Sequence, residues 1–358
     1  MTYSYQELRK YILDVCKTMG CSVEDADITS DVLLAAELRN ISSHGVSRLN
    51  DYVKLWKSGR INSKPNINIV HETLSTAVMD GDSGLGMVVG KSAMNIAISK
   101  AKTAGTGWVS VRNSNHFGIA GYYAMLALEH DMIGIAMTNA NPLVAPTFSV
   151  DRLLGTNPIA VAIPAGKYPP FVADFATTPI ARGKLDLMHK KGEKAPIGYV
   201  QDKDGFPNTD PNILTQGGAI VPLGGDYLHG SHKGYCLASI VDIFSAIFSG
   251  ANFGPFVPPS VAFLPVLDNQ PGIGTGHFFG AMRIDAFQKA DDFKAQMDLW
   301  IQTFKMAKTD SEHEKIIIPG EPEREWESIR MKEGIPVLDK VVDDLNQIAD
   351  ELKINYLK

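Results

Sequence analysis

Seven short β-like runs, held between two helical ends, limit what this chain can fold into. They read "INIVHET" (67–73), "TAVMDGD" (76–82), "GWVSVRN" (107–113), "IGIAMTN" (133–139), "IAVAIPA" (159–165), "PPFVADF" (169–175) and "HFFGAMRI" (277–284). Apolar and β-branched residues fill them, and Gly, Pro, Asn or Asp punctuate them, as strands require. Helical patterns lie between: "VVGKSAMNIAISKAKTAG" (88–105) and "GYYAMLALEHD" (121–131). "KGYCLASIVDIFSAIFSG" predicts a buried apolar helix over 233–250, and the Pro- and Gly-rich residues 251–275 predict loop. Strands interleaved with helices imply an α/β or α+β core built around a sheet.

The ends have a different texture. "YQELRKYILDVCKTMG" and "SVEDADITSDVLLAAELRN" predict two helices over residues 5–40, the second opened by Ser22 and Asp25 in a capping-box arrangement. A third helix is expected from about Ser43 to Ser58, stopped by Gly59. From Ala286 the pattern is helical again through "DDFKAQMDLWIQTFKMAK" and "VLDKVVDDLNQIADELKI". The two termini are therefore expected to pack as one helical domain, residues 1–75 with 286–358, around a sheet-containing domain over 76–285.

Composition excludes several classes of function. A formal charge of −6 supplies no basic footprint for nucleic acid or an anionic membrane surface. Runs such as "PIAVAIP" are too short to span a bilayer, and the polar, amphipathic N-terminus has no secretory apolar core. The 3 cysteines form no CxxC pair, which fits a reduced, cytoplasmic compartment.

The stretch "SSHGVSRL" sets a hydroxyl, a titratable base and a fixed cation within six residues. Ser43 is placed as a helix N-cap, and His44 and Arg48 would share one helix face at i and i+4. Helix N–H groups, Arg48 and His44 would make a pocket for a small carboxylate with a proton donor beside it, the dipole lowering the histidine pKa. A cap serine, a surface histidine and a solvated arginine would read the same in this stretch alone. In "VRNSNHFGIAGYYAM", Asn115 and His116 end a strand and small residues open a helix, which suits close approach of backbone to a ligand. "LLGTNPIAVAIP" puts Thr156 in a tight turn. "FVADFATTPIARGKL" ends a strand at Asp174 and starts a helix at Thr178 or Pro179. Free N–H groups at Ala176 to Thr178 would suit a ribose or phosphate. Lys233 stands at the mouth of the apolar helix, a point charge suited to phosphate.

Three other motifs do not hold. In "DGDSGLGMVVG" the glycines fall at 81, 84, 86 and 90, so the dinucleotide spacing GxGxxG is unmatched, and no acidic residue ends the next strand. "GDSG" lacks the disulfide framework of a serine protease, and GxSxG is absent. His229 and His232 form a lone HxxH, so no metal site is expected.

Taken together, "SSHGVSRL", "DGDSGLGMVVG", "RNSNHFGIAGYYA", "LLGTNPIAVAIP", "DFATTPIARGKL", "HKGYCLA", "GHFFGAMRID" and "IPGEPE" resemble, in order and approximate spacing, the malate/L-lactate dehydrogenase family that lacks a Rossmann fold. The resemblance implies a largely antiparallel seven-stranded sheet, a homodimer, and reversible hydride transfer between NAD or NADP (NADH favoured) and a 2-oxo acid, with malate/oxaloacetate expected ahead of lactate. It implies cofactor walls at His116, Phe117, Gly118, Ile119 and Ala120, at Asp174, Phe175, Ala176, Thr177 and Thr178, at Lys233, and at a loop around Gly320 and Glu321. Reducing a ketone needs a proton for the developing alkoxide and a cation for the carboxylate. Arg48 takes the carboxylate. His44, oriented by Ser43, is the first choice of acid/base, and His116 is its rival. Asn115 and Thr156 help to hold the substrate. Some imine-reducing relatives carry an acidic residue after the "ARG"-like triplet. Lys184 in that place argues for an anionic substrate. The chain departs from the family pattern at "PTFSVDR", "DFATT", Tyr199 and Cys236, which touch pocket shape and coenzyme preference.

Overall fold

The computed structural model describes residues 1–357. Strand β1 (Thr2–Tyr3) leads into helices α1 (Tyr5–Met19), α2 (Val23–Leu38) and α3 (Leu49–Lys57). Then come β2 (Asn68–Glu72), β3 (Thr76–Asp80), α4 (Gly86–Ala104), β4 (Thr106–Ser114), α5 (Ala120–Leu126), β5 (Met132–Thr138), β6 (Ile159–Ile163) and β7 (Phe171–Phe175). Helix α6 (Arg182–Lys191), the short strands β8 (Val200–Gln201), β9 (Pro207–Asn208) and β10 (Ala219–Ile220), and α7 (Ser231–Asp242) follow. The chain closes with β11 (Thr275–Arg283), α8 (Ala290–Lys305), α9 (Glu321–Glu333), β12 (Ile335–Pro336) and α10 (Asp339–Leu352).

The seven predicted runs are the seven strands of one sheet, in the order β2-β3-β4-β11-β5-β6-β7. Only β3 and β4 pair in parallel, and α4 is the crossover that such a pair needs. The other pairs are antiparallel. Strand β5 alternates buried and part-buried residues, so it reads as a strand from its own period. Strand β11 is buried nearly throughout because it lies at the centre, between β4 and β5. Helix α5 sits so close to β5 that a Cβ on Gly134 would meet the Ala124 carbonyl oxygen at 2.0 Å.

The termini meet. Thr2 and Tyr3 pair with Pro336 and Ile335, and the Tyr11 hydroxyl donates to the Leu345 carbonyl. Ser4 and Glu7 form a full capping box on α1, a contact worth about 1 kcal/mol. Ser22 supplies only half of one on α2, accepting from the Asp25 N–H at 3.0 Å. One apolar core runs from α1, α2, α3 and α10 through α4 and α5 to the sheet, including Leu8, Leu33, Tyr52, Met87, Tyr123 and Phe279. Helix α8 belongs against the sheet: Asp298 accepts the N–H groups of Gly166 and Lys167 at 2.9 and 2.7 Å, and Trp300 meets Phe171 edge-on. Strand β2, within residues 1–75, also belongs to the sheet. A second small core, with Val144, Leu185, Val200 and Ala238, lies under β8–β10.

The apolar helix differs from its expectation. It starts at Ser231, and after Asp242 it loosens into a π-helical turn, Ile243–Ile247. Its apolar face is not covered: Ile240, Ile243, Ile247 and Phe248 are exposed. Among the described residues no helix is long and apolar enough to cross a membrane.

Candidate active site

The stretch carrying His44 and Arg48 does not form the expected helix from Ser43 to Ser58. Ser42–His44 and Val46–Arg48 are two 3₁₀ turns, and the α-helix begins only at Leu49. The break is at Gly45, beside a side chain from eight residues earlier. The Glu37 carboxylate fills the space beside Gly45, where a Cβ would meet Oε1 at 2.1 Å, and Oε1 accepts the Val46 N–H at 2.9 Å. Ser43 is therefore no N-cap. Its hydroxyl bonds His44 Nδ1 at 2.9 Å.

His44 and His116 come together. Their rings stack at 5.4 Å between centroids, 25° apart. The Tyr52 hydroxyl bonds His116 Nδ1 at 2.7 Å, and the Gly118 N–H approaches the same nitrogen at 3.4 Å. An N–H can only donate, so Nδ1 is the acceptor and neutral His116 keeps its proton on Nε2. Assigning the Ser43 hydroxyl as donor gives His44 the same tautomer. Neither Nε2 has a protein partner among the described residues.

His44 and His116 are half-buried, and protein surrounds them closely enough to disfavour a charge. Burial first, and the Arg48 cation second, push His44 down to about 4. The same two causes, with His44 and His277 behind them, hold His116 well below the usual imidazole range. The depression of His44 therefore owes nothing to a helix dipole, since no α-helix starts there.

Arg48 stands between the histidines and a loop. Nη1 pairs with Asp51 at 3.0 Å, and Nη2 donates to Ser260 Oγ at 3.3 Å. Its Nε is buried and has no partner among the described residues. A planar fork with a donor to spare beside two histidines suits a carboxylate. Arg60 pins the same loop by donating to the carbonyls of Val261 at 3.0 Å and Pro259.

The other sequence-predicted residues divide. Thr156 places its carbonyl under Thr177, accepting the N–H at 2.9 Å and the hydroxyl at 3.1 Å. Its own hydroxyl has no partner among the described residues. The Asn115 amide nitrogen is committed to the Ser83 and Gly84 carbonyls at 2.9 and 3.0 Å, leaving Oδ1 for a ligand. Lys184 is exposed on α6, whose start touches the turn carrying His44: a Cβ on Gly183 would lie 3.6 Å from Ser43 Cβ.

The segments expected to wall a cofactor converge on β7. Asp174 Oδ2 accepts the Gly121 N–H at 2.7 Å, which ties the strand end to the His116–Ala120 turn. Desolvation raises the Asp174 carboxyl to about 6, although part of its surface faces solvent. The Leu223 N–H donates to the Thr177 carbonyl, and a Cβ on Gly234 would meet the Leu223 backbone, so the start of α7 with Lys233 is held beside them. The Val172 N–H donates to the Pro319 carbonyl, which places Gly320 against the same strand. Ile119 is buried and Phe175 is exposed at the strand end, with Ala176 just beyond it.

Four details correct the sequence reading. Phe117 is core: it is 1% exposed and stacks on His277 and Tyr123. Helix α6 starts at Arg182, not Thr178 or Pro179. The Thr177 N–H is bonded to Thr156, so that amide is not free; the Thr178 hydroxyl donates to the Ile180 carbonyl. Gly320 is the N-cap of α9 rather than part of a loop, and Glu321 pairs with Lys305 at 2.8 Å.

Tyr52, Ser260 and Glu37 escaped the sequence reading. Tyr52 carried a usable signal, since it follows Arg48 by four residues; the other two are brought in by the fold. A surface groove of about 800 Å³ between α2 and α4 does not hold this cluster.

Comparison with known proteins identifies the family. The malate/L-lactate dehydrogenase family profile matches residues 3–346. The chain is 44% identical over 353 residues to a malate dehydrogenase of Pyrococcus abyssi, covering 98% of this chain and 95% of that one. It is 42% identical to an L-sulfolactate dehydrogenase of Methanocaldococcus jannaschii, covering 97% and 96%. The crystal structure of a malate dehydrogenase from Entamoeba histolytica superposes with a TM-score of 0.92 at 34% identity, covering 99% of each chain. The chain belongs to the malate/L-lactate dehydrogenase family and is a 2-hydroxy acid dehydrogenase.

Proposed function

We propose that the protein interconverts malate and oxaloacetate with a nicotinamide dinucleotide, NADH in preference to NADPH. One observation carries the reading: Arg48, with a buried unpartnered Nε, stands beside two stacked histidines whose Nε2 atoms are not engaged by protein. Bound nicotinamide supplies or takes up the hydride. Arg48 holds the 2-carboxylate of the acid. His44, fixed by Ser43, gives the proton to the carbonyl oxygen in reduction and removes it from the hydroxyl in oxidation. His116, fixed by Tyr52, lies against His44 and is its rival for that step. Thr156 and Asn115 Oδ1 complete the substrate's surroundings, and the exposed Lys184 at the edge of the turn favours a second anionic group.

The donor set on β7 and its neighbours fits the cofactor. Lys233 suits a phosphate, and Asp174 suits ribose hydroxyls while opposing a 2′-phosphate, which supports NADH. A second reading has the support of the sulfolactate-named relative: a sulfonate in place of the distal carboxylate. The chain is also proposed to be cytoplasmic and to pair as a homodimer, for which the open face of Ile240, Ile243 and Ile247 is suited. The test is a variant pair. Arg48→Ala should raise KM for the oxo acid with little change in NADH binding, and His44→Ala should lower kcat while substrate still binds. Unaltered KM in the first removes Arg48 from the carboxylate. Loss of kcat only in His116→Ala moves the acid/base role to His116.

A further inference from the structure

Helix α9 and the end of α2 are joined by a buried ionic cluster directly beneath the catalytic turn, and no step of the reaction uses it. Glu37 is 2% exposed and Arg330 6%. Glu37 faces the turn: Oε1 takes the Val46 N–H at 2.9 Å and the carboxylate occupies the space beside Gly45. Arg330 faces the chain entering the turn. It donates to the Glu37 carbonyl and to Asn40 Oδ1, and it reaches Ser42 Oγ at 3.4 Å. The two side chains approach at 3.9 Å, an attraction of charges rather than a hydrogen bond. Asn40, held by Arg330, takes a left-handed φ of 62°, and Arg39 reaches Glu327 at 3.4 Å one turn earlier on α9. Between them these contacts hold Glu37, Arg39, Asn40, Ser42 and Val46.

We infer that Glu37 and Arg330 are positioning residues that set the 3₁₀ geometry of residues 42–48, and through it the places of His44 and Arg48. The inference rests on the proposed roles of those two residues. A simple helix from Ser43 would place His44 and Arg48 at α-helical spacing. The bond from Val46 N–H to Glu37 and the exclusion of a side chain at position 45 hold the turn out of that state. Two charges buried this deeply are retained at a cost in desolvation, which apolar packing would avoid. Geometry, not stability, is what they supply. Arg330 also lies on the helix whose N-cap, Gly320, stands at β7, so one rigid element touches both the cofactor-side strand and the catalytic turn.

The test compares Glu37→Ala, Glu37→Gln and Arg330→Met with His44→Ala and Arg48→Ala. Each is assayed well below its Tm, with active sites counted by NADH titration. Glu37→Ala should lower kcat/KM for the oxo acid tenfold or more, with kcat reduced and KM raised together, while the Kd for NADH stays within twofold. Amide exchange at Val46 should accelerate. Glu37→Gln, which keeps an acceptor for that N–H, should recover most of the loss, and Arg330→Met should follow Glu37→Ala in direction. Wild-type kcat and KM in Glu37→Ala, with His44→Ala and Arg48→Ala both impaired, would overturn the inference alone. So would a parallel loss of NADH affinity, which marks a general defect. Wild-type kinetics in His44→Ala and Arg48→Ala would overturn the site reading itself, and the role of the cluster with it.

Discussion

His277 and the pair His44–His116 are crowded by the same part of the protein, and their nitrogens differ in what they do. His277 lies inside β11, wholly buried, with Nδ1 at 2.7 Å from Thr138 Oγ1 and Nε2 at 2.8 Å from Ser114 Oγ. Thr138 gives its own proton to backbone carbonyls, so it accepts from His277 Nδ1–H, and Nε2 accepts from Ser114. His44 and His116 are the opposite tautomer, each with Nδ1 held and Nε2 left over. Burial depresses all three, His277 to about 3 and His44 to about 4, with His116 well below normal. A lowered pKa therefore does not separate the structural histidine from the pair proposed to be catalytic. The unengaged nitrogen does, together with Arg48 beside it.

The largest effect should come from removing the proposed acid/base. His44→Ala should lower kcat by about 10²–10⁴-fold in a steady-state assay, the usual range for a positioned acid/base. If kcat holds and only His116→Ala lowers it, the two members of the pair exchange roles. Arg48→Ala should cost about 2–4 kcal/mol in kcat/KM, mostly through KM, because it leaves a substrate carboxylate without its partner. His277→Leu should show the converse pattern. Losing both bonds and leaving the Ser114 hydroxyl without its acceptor should cost about 1–3 kcal/mol of stability by denaturant titration, with kcat close to wild type. A kcat loss as large as that of His44→Ala would erase the distinction drawn here. Tyr52→Phe removes only the bond that orients His116, about 0.5–1.5 kcal/mol, so kcat should fall a few-fold to about tenfold.

The gentlest perturbation is pH. The folded pKa values of His44 and His277 lie below the ordinary 6.5, so between about pH 4 and 6.5 the native state binds fewer protons than the unfolded chain. Stability contributed by keeping them neutral is present above pH 6.5 and is lost as pH falls through the folded values. Activity should follow the same sign. Oxidation of the hydroxy acid needs neutral His44, so kcat/KM in that direction should stay level from pH 7 down to about pH 5 and fall only as pH nears 4. An acid limb centred at 6.5 would mean that burial and Arg48 do not act on the base as described.

Much of this was legible in the sequence because it is local. Strands such as Met132–Thr138 announce themselves by alternation, and α1 by its Ser4–Glu7 box and its stop at Gly20. His44, Arg48 and His116 were legible as types of residue near turns. Their geometry was not, because it depends on partners distant in the chain. The helix expected from Ser43 fails owing to Glu37 and Arg330, and Arg330 is 288 residues from Ser42. Phe117 looked like a cofactor wall from its neighbours, yet the stack on His277, a residue of another strand, makes it core. Helix α9 was missed because its start, "GEPE", reads as turn formers until Gly320 is seen as an N-cap with Pro322 in the first turn.

The most direct test of the central claim is a panel of NADH and NADPH oxidation rates with oxaloacetate, pyruvate, 3-sulfopyruvate and a cyclic imino acid. The account predicts that NADH with oxaloacetate gives a kcat/KM at least tenfold above pyruvate, about 1.4 kcal/mol of differential transition-state binding. Equal or faster turnover of pyruvate or the imino acid, or no consumption of either nucleotide with any acid, would contradict it.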